Sequence, residues 1–400
     1  MAIDFQQVQK QVRALGENAS QHAGEMEDQR KRACGLLDSN AQDAQRLIQR
    51  VERITRLYDP NLRCAIPAVN LPTPPEALNQ RIPLPELPFQ VTLIAADGSQ
   101  IYPDRHEQVS FSLINIGAIQ TVLGSQEPPQ VTIDSRLLYD EQLHTSTGIK
   151  TESQISLMRD LEERKLLARL AGESPTGAVT FTDGPMELWG AKDTQESQEF
   201  QQSLEKYLAV LQTLHANGGT IAGYVDKPTA NLVVRLLEIA LLDEADLAKV
   251  KDTYPLHRVS DRYIFQTLLK PGERSAIFGM QSRSARHYHA ELSLHFFYLN
   301  VGRPGKPWLA RIEIPAWVAG DPKSLNDLHA VLYHQCQIMG SRPFPYLIHR
   351  AHEAAVVSFD EKSQVTQMIV DELYRRRVGV DDLSYKQSAK NQTGRTRYER

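Results

Sequence analysis

Cysteine is nearly missing from this chain. The three present, Cys34, Cys64 and Cys336, lie far apart, so they give neither a disulfide framework nor a thiolate metal site. A reducing, cytoplasmic setting is the expectation. Long hydrophobic runs are missing too, since no segment offers the roughly 20 apolar residues a membrane helix needs. The opening stretch "MAIDFQQVQKQVRALGE" lacks the apolar centre of a signal segment, and no membrane association is expected. Nor does either sign of charge dominate. A net charge of −4 and a pI near 6.3 exclude a uniformly basic, histone-like binder. They leave room for a local basic groove facing nucleic acid.

What is there suits a soluble globular protein: 41% of residues are hydrophobic and 24% charged. At 400 residues the chain exceeds one minimal core, so one large domain with additions, or two domains, is expected. Residues 1–59 form a polar, helix-forming arm, read as solvated, in which Val8, Val12, Leu15, Leu36, Leu37, Leu47, Ile48, Val51 and Ile54 recur near helical spacing. Residues 60–88 are a proline-dense connector that can be neither helix interior nor central strand. Residues 383–400, polar and basic, read as a disordered tail.

Between these ends the order of elements is informative. "VTLIAADGSQIY", "QVSFSLINIGAIQTVL" and "PPQVTIDSRLLY" read as three strands joined by short connections, which favours an antiparallel meander. A helix follows over "TESQISLMRDLEERKLLARLAG", capped by Thr or Ser and closed by Gly172. Then come strand "GAVTFTDG", a second helix from "SQEFQQ", strand "TIAGYVDKP" and helix "TANLVVRLLEIALL". This is the order of the ribonuclease-H-like α/β fold, a mixed sheet flanked by helices, over about residues 89–245. In that fold the first and fourth strands are neighbours.

Asp97 and Asp183 each close an apolar run and each precede glycine. An Asp-Gly pair is also the commonest tight turn, so either could be a turn aspartate. As neighbours on adjacent strand ends they would instead make a pocket of hard oxygen ligands, which suits Mg²⁺ or Mn²⁺. Such ions support phosphodiester cleavage. The helix between them carries Arg159, Glu162 and Glu163. Adjacent helix residues point about 100° apart, so only one glutamate can face a given pocket. Glu163 shares a face with Leu167 and Leu170, whereas Glu162 lies beside Leu166 and Arg169.

The segments "AADGSQIY", "LMRDLEERKLL", "VTFTDGP", "IAGYVDKP" and "PFPYLIHRAHEAAVVS" together resemble the NurA nuclease family, over roughly residues 90–375. The resemblance implies a nuclease domain over residues 89–382. It implies a Mn²⁺-dependent DNA-end-processing nuclease (Mg²⁺ also possible) acting in double-strand break repair. It further implies a homodimer working with a HerA-type hexameric ATPase translocase. Asp97 then matches the first-strand metal ligand, Asp183 the fourth-strand ligand and Glu163 the helix glutamate. Arg159 and Glu163 satisfy a pattern of Arg, three residues, then Glu, with Glu162 as the fallback. His352 matches the histidine that completes the site. Where the family often has tyrosine ahead of that histidine, this chain has Phe344-Pro345, with Tyr346 two residues on.

Outside that set, Lys227 ends the fifth strand and could bind the scissile phosphate as a point charge. The segment from Leu269 to His289 carries Lys270, Arg274, Arg283 and Arg286, with Phe278 and Tyr288 among them, a composition suited to a DNA backbone. "LSLHFFYLNVG" and "WLARIEIPAWV" read as paired strands that extend the sheet or build a subunit interface. Two other classes remain open: a catalytically silent scaffold that clamps DNA for a motor, and an ATP-using enzyme of the actin or sugar-kinase type. The scaffold is expected to lose its acidic ligands. The ATP-using enzyme needs a duplicated domain and a glycine-rich adenosine turn that this sequence lacks.

Overall fold

In a computed structural model, the structure describes residues 3–69, 71–104, 109–145, 148–174, 177–188 and 198–378. The basic tail expected at 383–400 lies outside these. The chain separates into two compact units. One takes Pro88–Asp183, Leu188–Ile221 and the chain from Pro345; the other takes residues up to Leu87, Gly184–Glu187 and Ala222–Phe344.

The first unit contains the meander. Strand β1 (Thr92–Ile101) pairs antiparallel with β2 (Ser112–Val122), which pairs antiparallel with β3 (Gln130–Leu138). Helix α1 (Glu152–Gly172) opens on a capping box in which Thr151 and Gln154 satisfy each other's backbone N–H groups. It returns the chain to β4 (Ala178–Asp183), which lies parallel to β1 from Thr92/Ala178 to Ala96/Thr182. Helix α2 (Gln198–Ala216) leads to β5 (Thr220–Asp226), whose first residue accepts a 2.9 Å hydrogen bond at its carbonyl from Thr180 Oγ1. Three antiparallel strands, a crossover helix and a fourth strand parallel to the first make the ribonuclease-H-like α/β arrangement. Helices α3 (Tyr346–Ala355) and α4 (Phe359–Arg375) complete this unit.

One expectation changes here. Asp97 does not end its strand: β1 continues four residues to Ile101, and Gly98 pairs with Ile116 instead of turning. What ends near Asp97 is β4, so β1 is flanked on both sides before Asp97 and loses its parallel neighbour after it. Gly184, at φ +84°, turns the chain away directly after Asp183, a conformation that costs glycine nothing.

In the second unit, strand residues 64–67, 278–281, 294–300, 309–315 and the later part of β5 form an antiparallel series in that order. Its aromatic centre is Phe265, Phe278, Phe296 and Tyr298, with Phe265 stacked on Tyr298 at 4.5 Å. The strands at 294–300 and 309–315 therefore extend the sheet and bury their aromatic residues, so they present no apolar subunit surface. The N-terminal region is two helices, Phe5–Ser39 and Ala44–Leu57. The second is not solvated, because Leu47, Val51 and Ile54 are fully buried. The proline-dense stretch likewise contributes Cys64–Pro67 at the sheet edge and the short strand Arg81–Ile82. Among the described residues, no helix is long and apolar enough to cross a membrane.

Candidate active site

The site forms where β1 outruns β4. Asp97 and Asp183 each lie one residue past the last paired position, Ala96/Thr182. Register partners on parallel strands share a face and sit about 5 Å apart, so the two carboxylates are neighbours on one side of the sheet. His352 approaches that side from α3, its Nδ1 2.6 Å from Asp97 Oδ2. The helix can come this close because Asp97 is paired with Gly117, where a Cβ would lie 2.7 Å from the Ala355 nitrogen and 2.8 Å from the Ala351 oxygen. Ser99 Oγ and Asn115 Nδ2 both donate to the Ala355 carbonyl, at 2.6 and 2.8 Å, and so hold the end of α3. The His352 side chain stays 62% exposed.

Glu163 arrives from the other face. It is 5% exposed, on the buried stripe with Leu166, Leu167 and Leu170. A Cβ on Gly98 would lie 2.7 Å from Glu163 Oε1 and 2.6 Å from Arg159 Cγ, so the missing side chain is what lets this carboxylate reach the strand beside Asp97. Arg159 Nε lies 3.2 Å from Glu163 Oε1, and Arg164 Nη1 3.4 Å from Oε2. Burial nevertheless pushes the Glu163 carboxyl up to about 8; Arg164 and Arg159 oppose the rise, and Asp160 and Asp97 add to it. Arg164 is buried as well and is kept charged near Tyr207 and Glu163, so Glu163 is the partner that holds its proton. Glu162 differs: it meets Arg136 and Lys165 at the surface, at 3.3 and 2.8 Å.

Arg159 is the least exposed cation facing the strand here besides Arg164. Its Nη2 binds Asp160 Oδ1 at 2.5 Å and its Nη1 donates to Gln100 Oε1 at 3.1 Å. A quarter of the side chain remains exposed. Arg164 and Gln100 do not stand out in the sequence, and Gly98 stands out there only as the second residue of an Asp-Gly pair. The only signal for them is a charged residue on an otherwise apolar helix stripe and a glycine inside a strand.

The donor set fits a hard divalent cation in kind: oxygen ligands from Asp97, Asp183 and Glu163, one imidazole and no thiolate. A buried carboxyl held uncharged beside a second carboxylate is also what a cation would relieve. In the present side-chain arrangement, though, no three His, Cys, Asp or Glu residues among those described converge closely enough to enclose an ion. His352 is bonded to Asp97 and Glu163 to its arginines.

The expected DNA contacts divide. Arg274 is not available: it is 3% exposed and forms a two-pronged ion pair with Glu76, at 2.8 and 3.1 Å. Its role is to fasten the proline-dense stretch. Phe278 and Tyr288 are buried as well and offer no stacking face. Arg283 and Arg286 are exposed, Arg286 donating to the Pro60 carbonyl. Lys227 is exposed at φ +42°, with its ammonium 4.0 Å from the centre of the Trp308 ring. Phe344 packs edge-on against Tyr224 at 5.5 Å.

A family model described as the NurA domain matches residues 91–357. No curated protein matches the chain. Among solved structures it is similar to the NurA nuclease from Sulfolobus solfataricus, at 12% identity and TM-score 0.44, covering 74% of this chain and 88% of that one. It is also similar to the catalytic domain of human Endonuclease V, at 13% identity and TM-score 0.30, covering 70% and 84%.

Proposed function

The chain belongs to the NurA family, and from that premise we propose that it is a metal-dependent nuclease hydrolysing phosphodiester bonds in DNA. One observation supports this reading above the others: Asp97 and Asp183 adjoin on parallel strands while the buried Glu163 reaches the same strand through the gap at Gly98.

Asp97, Asp183 and Glu163 would hold Mn²⁺ or Mg²⁺, with His352 beside them. When bound, the ion would supply Lewis-acid polarisation of the phosphodiester and acidify water at neutral pH. The remaining steps fall to the chain itself. Asp97 orients His352 through Nδ1, which leaves Nε2 to accept or return a proton at the substrate. Arg159, anchored by Asp160 and Gln100, can turn a guanidinium edge towards the scissile phosphate as the developing charge grows. Burial of Glu163 keeps bulk water from that side. In its biological setting we place the enzyme in the cytoplasm, as a homodimer resecting DNA ends with a HerA-type hexameric translocase; this rests on family membership.

The test is cleavage of labelled single-stranded and duplex DNA by the purified chain with Mn²⁺, Mg²⁺ or excess EDTA. We expect cleavage with Mn²⁺ at least as fast as with Mg²⁺, and none in EDTA. Asp97→Ala and Asp183→Ala should abolish cutting while DNA binding persists. Full activity in EDTA overturns the proposal.

A further inference from the structure

Past Asp97, β1 forms one wall of a cavity of about 760 Å³. Gln100 and Ile101 line it from the end of β1 and residues 102–104 from the chain just after it, residues 149–152 from the approach to α1, and residues 357–359 with Lys362 from the approach to and first turn of α4. The four steps along the strand from Asp97 to Ile101 cover roughly 13 Å at the usual rise, a span that a short run of nucleotides can bridge.

The cavity is wired to the candidate active site. Gln100 accepts from the same Arg159 that faces Glu163, and its Nε2 donates to Tyr102 Oη at 2.7 Å. On the opposite wall, the backbone N–H of Val357 donates to Ser99 Oγ, which itself donates to Ala355. One turn, fixed to β1 at Ser99, thus places His352 on its α3 side and Phe359 on its α4 side.

The lining has the chemistry of a nucleotide unit. Phe359 is 69% exposed, a large apolar ring left in water at the cavity wall. Lys150, just ahead of α1 and donating to the His144 carbonyl, and Lys362, in the first turn of α4, bring positive charge from two sides. Glu152 and Asp104 line it as well, so it is no simple anion trap; carboxylates can accept from the exocyclic amino groups of bases. The capping boxes of α1 and α4 engage the backbone N–H groups of Gln154 and Glu361, and the lysines supply the positive charge for a phosphate. A base reaching an aromatic ring inside such a cavity must be unstacked from any partner strand.

We propose that this cavity is a single-strand subsite, in which a nucleotide of the strand being cut stacks its base on Phe359 while Lys150 and Lys362 hold its phosphate. The proposal rests on the nuclease reading for its link to cleavage, but its binding half can be tested without catalysis.

The experiment uses the full chain in EDTA with fluorescent single-stranded oligonucleotides, plus 2-aminopurine placed at successive positions, and then cleavage kinetics in Mn²⁺. Phe359→Ala should weaken single-strand binding about 10-fold or more, remove 2-aminopurine quenching at one position and raise KM more than it lowers kcat. Phe359→Trp should restore binding and quenching. Lys362→Ala should reduce the salt slope by about 0.7, and blunt duplex binding should change little in all three. Phe359 is exposed and Lys362 half-buried, and circular dichroism checks that the variants fold. Single-strand binding and KM unchanged in Phe359→Ala and Lys362→Ala overturn the subsite, as does equal weakening on blunt duplex. If the unaltered chain cuts no DNA yet binds with this Phe359 dependence, the subsite stands and the nuclease reading fails.

Discussion

His352 Nδ1 meets Asp97 Oδ2 at 2.6 Å across 255 residues of sequence. This hydrogen bond fixes which ring nitrogen faces the carboxylate and which faces solvent. His352→Ala should therefore lower kcat about 100-fold or more, with little change in Tm because the side chain is largely exposed. Steady-state cleavage and thermal melting measure the two; a variant with full activity would remove His352 from the mechanism.

The two helix glutamates should behave differently. Glu163→Gln should remove most activity and weaken Mn²⁺ binding measured by calorimetry. Glu162→Gln loses only surface pairs with Arg136 and Lys165, so activity should hold and stability shift by less than about 1 kcal/mol. The reverse pattern would transfer the role to Glu162.

Gly98 supplies a third test. Alanine there places its Cβ 2.6–2.8 Å from Arg159 Cγ, Glu163 Oε1 and Ile116 Cδ1. We expect a loss of about 1–3 kcal/mol in urea unfolding, together with a fall in activity as Glu163 is pushed off the strand. Unchanged stability and rate would show that α1 can shift at no cost.

Among the basic residues, reversing Arg283 and Arg286 should weaken DNA binding and lower the salt slope by about one for each phosphate no longer neutralised. Arg274→Ala should leave the slope unchanged but cost about 3–5 kcal/mol of stability, since it strands Glu76 without its buried partner. Salt-dependent binding isotherms and denaturant unfolding separate these outcomes.

His329 gives a pH dependence independent of catalysis. It is fully buried, its Nε2 2.8 Å from the Gly272 carbonyl oxygen, and burial lowers its pKa from 6.5 to about 4. The folded state thus keeps the ring neutral. Its contribution is complete above pH 6.5 and is lost as pH falls through about 4, a change on the order of 3 kcal/mol. Urea unfolding between about pH 7.5 and pH 4 should show this slope in the unaltered chain and a shallower one in His329→Gln.

Local pattern alone determined much of the strand and helix order. The run from Val91 to Ala96 is apolar because it is covered on both sides, and Thr151 opens α1 through capping chemistry that acts within a few residues, while the helix runs through Gly172 to a cap at Glu173. Glu163 was separable from Glu162 for the same reason: helix geometry ties it to Leu167 and Leu170. Other features depended on pairings that no local pattern encodes. Only the sheet shows that β1 runs on beyond Asp97, because a strand's end depends on where its neighbour stops. Arg274 reads like any basic loop residue until Glu76, 198 positions away, buries and neutralises it. The Asp97–His352 hydrogen bond likewise depends on Gly117 letting α3 settle on β2, and the cavity on Ser99 tying a distant turn to β1. Such long-range pairings are decided by packing and by the burial of charge, which the chain acquires only when it folds.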